Sequence, residues 1–379
     1  MKKSLLAVAV LGAMSGAAFA QVAPNNITLY GIVDAGLQNQ RVTGTNVDSA
    51  SVSGLNSGIQ SGNRWGLRGS EDLGGGLRAN FNLESGFSLD TGTSGQGNRL
   101  FGRASWVGLS GGFGEVRLGR QTIFSSAFVV GIADPFGVGF GLAGYQGTVP
   151  NLGIAASSAP GGGVPGIVGT GNFNLGSQAA GTQRNDNTIM YLSPNINGFQ
   201  GGVYYTFGEV ATPRTPSTAK ANWVGAGVTY TQGPLALGLA YDTRDSSTNA
   251  TNSRDDKWLN LAASYNFGVA TVRFGYYDED ASLSNSGQAD ADRSGWILGA
   301  TVPLGGGSLL ASYQTGKIDY RPATAADDKL RKYAFGYTYP LSRRTNVYTS
   351  FAQARLKDEG SSPSTIKARE FSLGVRHTF

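Results

Sequence analysis

The sequence predicts an all-β membrane protein, a transmembrane antiparallel barrel of sixteen strands with a third extracellular loop folded into it. Three observations support this prediction. Short segments alternate between apolar and polar residues, the connections between them alternate between short and long, and the 379-residue chain has neither a cysteine nor an apolar run long enough for a membrane helix. In the first segment Ile27, Leu29 and Leu37 share one face, while Tyr30 and Asp34 lie on the other.

The first twenty residues have the pattern of a secretory signal peptide. Lys2 and Lys3 precede an apolar core, Leu5–Leu11, which is too short to span a bilayer, and Ala18-Phe19-Ala20 forms a cleavage site. We therefore expect residues 1–20 to be removed on export and residues 21–379 to form the barrel domain.

Alternation recurs along the whole chain and yields about sixteen strands, an even number typical of single-chain outer-membrane barrels. Leu77–Leu83 shows it clearly, since its apolar residues alternate with Arg78, Asn80 and Asn82, and Glu84 follows on the polar face. The other alternating stretches are Arg64–Arg68, Leu100–Leu109, Glu115–Gln121, Asn187–Leu192, Phe199–Phe207, Trp223–Thr231, Leu235–Asp242, Trp258–Phe267, Val269–Tyr277, Trp296–Val302, Leu309–Thr315, Lys332–Leu341, Thr345–Ala352 and Ala368–Phe379.

Seven short and eight long connections join these strands, as expected for periplasmic turns and extracellular loops. The short ones carry Gly, Pro or Asn suited to tight turns. They are Ser70–Gly76, Ser110–Gly114, Ser193–Gly198, Gln232–Pro234, the turn at Gly268, Pro303–Gly307 and Pro340–Arg344. The long ones are polar: Asn39–Asn63, Ser85–Arg99, Thr122–Gln183, Gly208–Asn222, Thr243–Lys257, Asp278–Ser294, Gly316–Arg331 and Lys357–Lys367.

The third long connection, Thr122–Gln183, has neither a strand period nor a helix period. A structureless stretch of this length is rare in a compact domain and is either functional or disordered. We predict that it folds into the barrel and constricts the pore. A surface loop is the alternative, which the clusters Pro160–Gly163 and Pro165–Gly166 would also suit.

The last strand predicts closure of the barrel. Phe371, Leu373, Val375, His377 and Phe379 share a face, and the chain stops at an aromatic residue. Pairing of this strand with Ile27–Leu37 would remove both sheet edges, as a lipid environment requires.

Composition excludes several functions. A single histidine and no cysteine exclude most His-based and all Cys-based catalysis and make a His/Cys metal site implausible, so we expect neither an enzyme nor a cofactor. Loss of Lys2 and Lys3 lowers the formal net charge from +5 to +3, which is not the balance of a nucleic-acid binder. A soluble β-sandwich or adhesin stays an alternative, but only 15% of the residues are charged, and they concentrate in the long connections.

Several stretches resemble the general porins of the Gram-negative outer membrane, in their betaproteobacterial branch. They are the leader MKKSLLAVAVLGAMSGAAFA, ITLYGIVDAGL, RWGLRGSEDLGGGLRANFNLE, VGLSGGFGEVRLGRQ and the final GVRHTF. The resemblance covers essentially the whole chain. It implies a homotrimer among outer-membrane lipids, a third loop that narrows the channel, and a C-terminal signal including His377 and Phe379 for the outer-membrane assembly machinery.

The same resemblance implies arginines on the barrel wall, at Arg64, Arg103 and Arg184. By parity we expect Arg64 to face the lumen opposite Trp65, and Arg103 to do so with Ala104 and Trp106 outward. Asp134 is the expected acidic counterpart on the third loop, which lacks further carboxylates until Asp186. The other predicted lumen residues are Asp34, Arg68, Arg78 and Glu84.

The expected function is passive diffusion of small hydrophilic solutes and inorganic ions, with a weak anion preference. One alternative is a substrate-specific porin, in which aromatic residues such as Tyr145, Tyr204, Tyr205 and Tyr277 guide one class of solute. Another is an adhesin or structural barrel. Saturable conductance would favour the first alternative, and a lack of stepwise conductance the second.

Overall fold

A computed structural model describes residues 26–45, 47–145, 184–208, 220–249, 252–281, 290–321, 328–358 and 364–379. In these ranges the chain forms one antiparallel sheet of seventeen strand segments. In chain order they are β1 (Asn26–Gly44), β2 (Val47–Ser57), β3 (Arg64–Gly74), β4 (Leu77–Gly86), β5 (Ala104–Gly111), β6 (Gly114–Thr122), β7 (Arg184–Leu192), β8 (Phe199–Thr206), β9 (Lys220–Gln232), β10 (Leu235–Asn249), β11 (Asn252–Asn266), β12 (Thr271–Ala281), β13 (Asp290–Leu304), β14 (Gly307–Arg321), β15 (Asp328–Pro340), β16 (Thr345–Asp358) and β17 (Ser364–Thr378).

The seventeen segments fill sixteen positions around a closed barrel, as predicted. Strand β1 is long enough for two strands to pair along one of its edges. Strand β2 pairs with Ala35–Gly44, and β3 pairs with Asn26–Ile32. The other edge of β1 pairs with β17, from Ile32 opposite Thr378 to Gly44 opposite Ile366. Because the first and last strands meet, the sheet has no open edge there, which satisfies the backbone hydrogen bonds in lipid.

The two faces of the strands differ as the alternation predicts. On β17 the side chains of Phe371 and Leu373 are 50% and 49% exposed, whereas those of Glu370 and Ser372 are 2% and 0% exposed. An outward apolar face suits contact with lipid, and an inward polar face suits a water-filled interior.

All seven predicted short turns are present, but the extent of the long connections is wrong. Asn39–Asn63 is not a loop, because it contains the end of β1 and the whole of β2, which pair with each other. Likewise, most of Thr243–Lys257 belongs to β10 and β11. Polar residues predominate in these stretches, so regular apolar alternation stops although the backbone ladder continues.

The third long connection is described as far as Tyr145. It begins with a π-helix, Ser125–Val129, which continues as the α-helix Val130–Ala133, and a 3-10 helix follows at Gly141–Ala143. The remainder, residues 146–183, lies outside the described residues, so the inward fold of the whole loop stays a prediction. The only other helix in the described ranges is a short turn at Gly95–Asn98, and no helix there is long and apolar enough to cross a membrane.

The described start of this connection packs against the inner wall at glycines. A methyl group on Gly299 would collide with the ring of Pro135, and one on Gly275 with the side chain of Ala133. Glycine therefore lets the connection approach the strands more closely than any other residue would.

Charged side chains of the wall hold the same segment. The Leu142 amide donates a hydrogen bond to Glu370 Oε1 at 3.0 Å, Lys332 Nζ donates to the Gly144 carbonyl at 2.5 Å, and Arg273 Nη1 donates to the Gly131 carbonyl at 2.9 Å. Hydrogen bonds that involve a charged group are about twice as strong as neutral ones. They therefore fix the segment at three points on different strands.

We expect Leu373→Arg to destabilise the folded barrel by about 2–4 kcal/mol, because it places a charge on the lipid-facing band. Equilibrium urea unfolding in lipid vesicles would measure the loss. Thr229→Arg is the matched control, since alternation on β9 turns residue 229 toward the interior, and we expect it to change stability little. Equal destabilisation by the two variants would contradict the assignment of the faces.

Candidate functional site

A cavity of about 790 Å³ lies inside the barrel, between strands β3–β7 and the start of the third connection. Six arginines and two glutamates line it, so its charged lining carries an excess of four positive charges. The arginines are Arg64, Arg68, Arg78, Arg103, Arg117 and Arg184, and the glutamates are Glu84 and Glu115. All five arginines that the sequence analysis predicted for the lumen, and the predicted Glu84, thus line one cavity.

Strand register brings these residues together. Alternation turns every second residue of a strand inward, and residues opposite one another on neighbouring strands lie about 4.5–5.5 Å apart. Arg68 lies opposite Asn82, which in turn lies opposite Trp106. Arg117 lies opposite Met190. The register therefore places Arg68 and Asn82 beside Trp106, and Arg117 beside Met190, on the inner wall.

Glu84 is the acidic centre of the arginine group. Arg103 Nε donates to Glu84 Oε1 at 2.6 Å, and the Tyr30 hydroxyl donates to Glu84 Oε2 at 3.0 Å. Both partners of the ion pair are largely shielded, with side-chain exposures of 10% for Arg103 and 14% for Glu84. Much of the charge of Arg103 is therefore compensated locally.

Arg64 and Arg184 differ from Arg103, because neither forms an ion pair with a carboxylate of the described residues. Arg64 Nε donates to the Gly62 carbonyl at 2.9 Å. Arg184 Nε is buried and has no hydrogen-bond partner among the described parts of the chain. Neither of these two guanidinium groups is paired directly with a carboxylate of the described residues, so both contribute positive charge to the cavity.

The remaining arginines are held mostly by neutral groups. Arg68 lies over the ring of Tyr30, 5.1 Å from its centroid. Arg78 Nε donates to Ser70 Oγ at 2.9 Å. Contacts of this kind orient a guanidinium without neutralising it.

The predicted outward facing of Ala104 and Trp106 is wrong. Both line the cavity, and Arg117 stacks on the Trp106 ring at 4.4 Å while pairing with Glu115 at 2.6 Å. The physical reason is that Arg103 precedes β5, which starts at Ala104, so strand parity does not include it. Val107, 55% exposed, is the outward neighbour.

The structure does not place the two predicted aspartates at the cavity. Asp34 is buried and accepts hydrogen bonds from the Tyr348 hydroxyl at 2.6 Å and the Ser61 amide at 2.7 Å. Asp134 is also buried, and its Oδ1 accepts from the Phe136 amide at 2.9 Å. Neither residue lines the cavity. Their roles in permeation stay predictions.

Charges near Asp134 come from the opposite wall. Burial raises the pKa of the Asp134 carboxyl, and the opposing effects of the Phe136 amide, Lys332 and Arg273 are smaller. Asp134 thus interacts with the cations that hold the third connection rather than with Arg64, Arg103 or Arg184.

Sequence reasoning missed three charged residues near the cavity. Arg117 and Glu115 alternate on β6, and that alternation could have placed both inward. Asp186 bridges Arg99 at 2.6 Å and Arg120 at 2.7 Å, and this contact ties β7 to its neighbours. Only the folded structure reveals that bridge, since these three residues are distant in sequence and Arg99 lies outside the strands.

The four tyrosines considered for an aromatic track do not line this cavity. Tyr145, Tyr204 and Tyr277 are buried between the third connection and the wall, and Tyr205 is 39% exposed on the outer face. The described residues therefore give no support for an aromatic track here.

The C-terminal residues complete the barrel. Phe379 and Gly31 exchange two backbone hydrogen bonds of 3.1 Å. His377 Nδ1 lies 2.9 Å from Thr345 Oγ1 on the neighbouring strand. Both residues thus belong to the seam, and their part in an assembly signal stays a prediction.

A closed barrel with an apolar outer face and a charged, polar interior defines an outer-membrane channel. The family model of the Gram-negative porins matches residues 7–359, and the chain belongs to this family. It is a diffusion channel of the Gram-negative outer membrane and not an enzyme.

Relatives and solved structures agree with this family. The chain is 36% identical to outer membrane porin protein 32 of Delftia acidovorans and 34% identical to an outer membrane porin protein of Bordetella pertussis, each over the full length of both chains. An anion-selective porin from Comamonas acidovorans has a TM-score of 0.72 and 30% identity, covering 94% of this chain and 100% of that one. A trimer form of OmpT from Vibrio cholerae, 16% identical with a TM-score of 0.61, shares the fold, covering 94% of this chain and 100% of that one.

We expect Glu84→Gln to shift the channel toward anions by roughly two- to fivefold, since a unit charge at about 5 Å in water contributes up to about 1 kcal/mol. The measurement is the zero-current potential across a planar bilayer in a potassium chloride gradient. Glu71→Gln is the control, because Glu71 is an exposed acid near the end of β3 that does not line the cavity. No difference between the two variants would show that Glu84 does not compensate the arginines.

Proposed function

We propose that this channel passes small hydrophilic solutes and inorganic ions with a weak preference for anions. The observation that carries the proposal is the excess of arginine over glutamate in the lining of the cavity. The 30% identical porin from Comamonas acidovorans is described as anion-selective, and this likeness supports the same sign here.

The preference is weak because water fills a wide channel. A unit charge at about 5 Å from an ion contributes roughly 1 kcal/mol in water, and salt at physiological strength screens it over about 8 Å. Arg64, Arg103 and Arg184 together then favour anions by about tenfold at most, with Glu84 subtracting from that figure. Selectivity of this size is compatible with fast diffusion, because no ion is bound tightly.

The third connection, Thr122–Gln183, is the proposed constriction of the pore. Its described start lies along the inner wall from β9 to β17 and is held there by Glu370, Lys332 and Arg273. A segment fixed in this way reduces the open cross-section of the barrel.

We also propose that three copies assemble in the membrane. Strands β3–β8 have 8–11 residues, whereas β9–β17 have 11–15, so one side of the wall is lower than the rest. Neighbouring copies would cover that low side. The trimer form of OmpT shows one such assembly on the same fold. Outer-membrane lipids would surround the taller side.

The proposed function requires export of the chain and assembly of the barrel in the outer membrane. Residues 1–20 direct export and are removed, residues 21–379 form the barrel, and the assembly machinery reads the C-terminal residues His377 and Phe379. Residues 1–25 lie outside the described residues, so this assignment rests on the sequence pattern.

The double variant Arg64→Gln/Arg184→Gln should lose most of the anion preference, because these two arginines have no acidic partner in the described structure. Zero-current potentials in potassium chloride gradients would measure the ratio of anion to cation permeability. We expect the ratio to fall by roughly tenfold or less toward unity, the limit set by the Coulomb energy of two charges in water.

Arg41→Gln is the matched control, since Arg41 is exposed on β1 and does not line the cavity. It should leave the ratio unchanged. Clear cation selectivity of the unmodified protein would refute the proposed anion preference, whatever the variants do.

Gly275→Val tests the position of the third connection. Even a methyl group at Gly275 would collide with Ala133, so the larger side chain should displace the connection from the wall into the open cross-section. We expect the single-channel conductance to fall below that of the unmodified protein. Gly201→Val is the control, since a side-chain carbon there would meet no atom of the described residues closer than 3.6 Å. Unchanged conductance of Gly275→Val would show that the connection does not lie against this part of the wall in the working channel.

A further inference from the structure

The cavity has an apolar side as well as a basic one. Phe124, Ala127, Phe128, Met190 and Leu192 line it together with the arginines. Phe124 and Phe128 stack at 4.5 Å between ring centroids. Ala127 is exposed and Phe128 is partly exposed, so part of this apolar patch is accessible from the cavity.

The strands and the third connection build this patch jointly. Gly202 lies opposite Leu192 in the register of β7 and β8, and its lack of a side chain leaves room for the ring of Phe124. Met190, the next inward residue after Thr188 on β7, lies opposite Arg117. Apolar and cationic groups are therefore direct neighbours on the inner wall, where a purely aqueous pore would have polar residues.

Two properties of a solute would be recognised by such a cavity at the same time. The guanidinium groups of Arg64 and Arg184, which lack an acidic partner among the described residues, attract an anionic group. The patch around Ala127 and Phe128 gains from contact with a hydrocarbon or aromatic surface, since apolar area removed from water contributes about 25 cal/mol per Å². Chloride or acetate can use only the first of these interactions.

We propose that the cavity is a binding site for organic monoanions with an apolar body, and that aromatic monocarboxylates are the solute class it favours. The carboxylate faces the arginine wall of β3–β7, and the ring lies against Ala127 and Phe128. A neutral aromatic lacks the charge, and an aromatic dicarboxylate would place its second charge against the apolar patch. This assignment rests on the proposed anion preference and adds a preference among anions.

The probes are sodium benzoate and sodium acetate, added to channels that conduct potassium chloride in a planar bilayer. Benzoate should reduce the chloride current at concentrations roughly fivefold lower than acetate does, as expected if the patch removes about 40 Å² of ring surface from water. Benzyl alcohol and terephthalate should reduce it less than benzoate.

Ala127→Asn is the decisive variant, because it adds an amide to an exposed position of the patch without removing a packed side chain. It should bring the benzoate and acetate concentrations close to each other, each measured relative to the chloride current of the same variant. Val138→Asn is the control, since Val138 is exposed on the same connection but does not line the cavity. Ala127→Ser serves the same purpose as Ala127→Asn if the larger side chain prevents folding.

The outcomes separate this inference from the proposed function. If benzoate and acetate act alike on an anion-preferring channel, the inference is overturned and the anion preference stands. If Val138→Asn abolishes the difference as fully as Ala127→Asn does, the patch is not the site and the inference is overturned. If the channel prefers cations in potassium chloride gradients, the proposed function itself fails.

Discussion

The fold depends on one constraint, that lipid supplies no hydrogen-bond partner to a backbone amide or carbonyl. Pairing of β1 with β17 meets it, and the two hydrogen bonds between Phe379 and Gly31 place the last residue in the seam. Once the ring of strands is closed, each strand has one face toward lipid and one toward the interior. Alternation then decides every inward residue, so the arginines of β3, β4 and β6 share one cavity as a consequence of closure and register.

The side chains on the inner face of the barrel also determine how the third connection is held against it. The third connection begins without a strand partner, and its polar backbone groups need acceptors and donors from elsewhere. Glu370, Lys332 and Arg273 supply them from three strands, and glycines such as Gly275 and Gly299 leave room for the chain itself. The charged groups of β12, β15 and β17 are thus used to hold the connection, while the arginines of β3–β7 stay directed toward the cavity.

The sequence was sufficient for the strands, the seven short turns, closure and the inward facing of Arg64, because all of these follow from a period of two. It was insufficient where that period is lost. The predominance of polar residues hid the whole of β2 and parts of β1, β10 and β11. Arg103 lies before its strand begins, which reversed the inferred facing of Trp106. Asp134 lies in a segment without any period, so only the folded structure shows that it contacts Phe136 rather than the arginines. The pair of Arg103 with Glu84 required the register of two strands.

The electrostatics of the cavity cannot be read from a count of arginines. Arg103 and Arg117 each have a carboxylate at 2.6 Å, so each pair acts on a distant ion as a dipole, whose field declines faster with distance than that of a single charge. Arg64 and Arg184 form no such pair among the described residues and act as single charges. The sign of the selectivity therefore depends chiefly on the arginines that lack a partner. An apolar patch lines the same cavity and lies directly beside Arg117, so the cavity combines discrimination by charge with discrimination by hydrophobic contact.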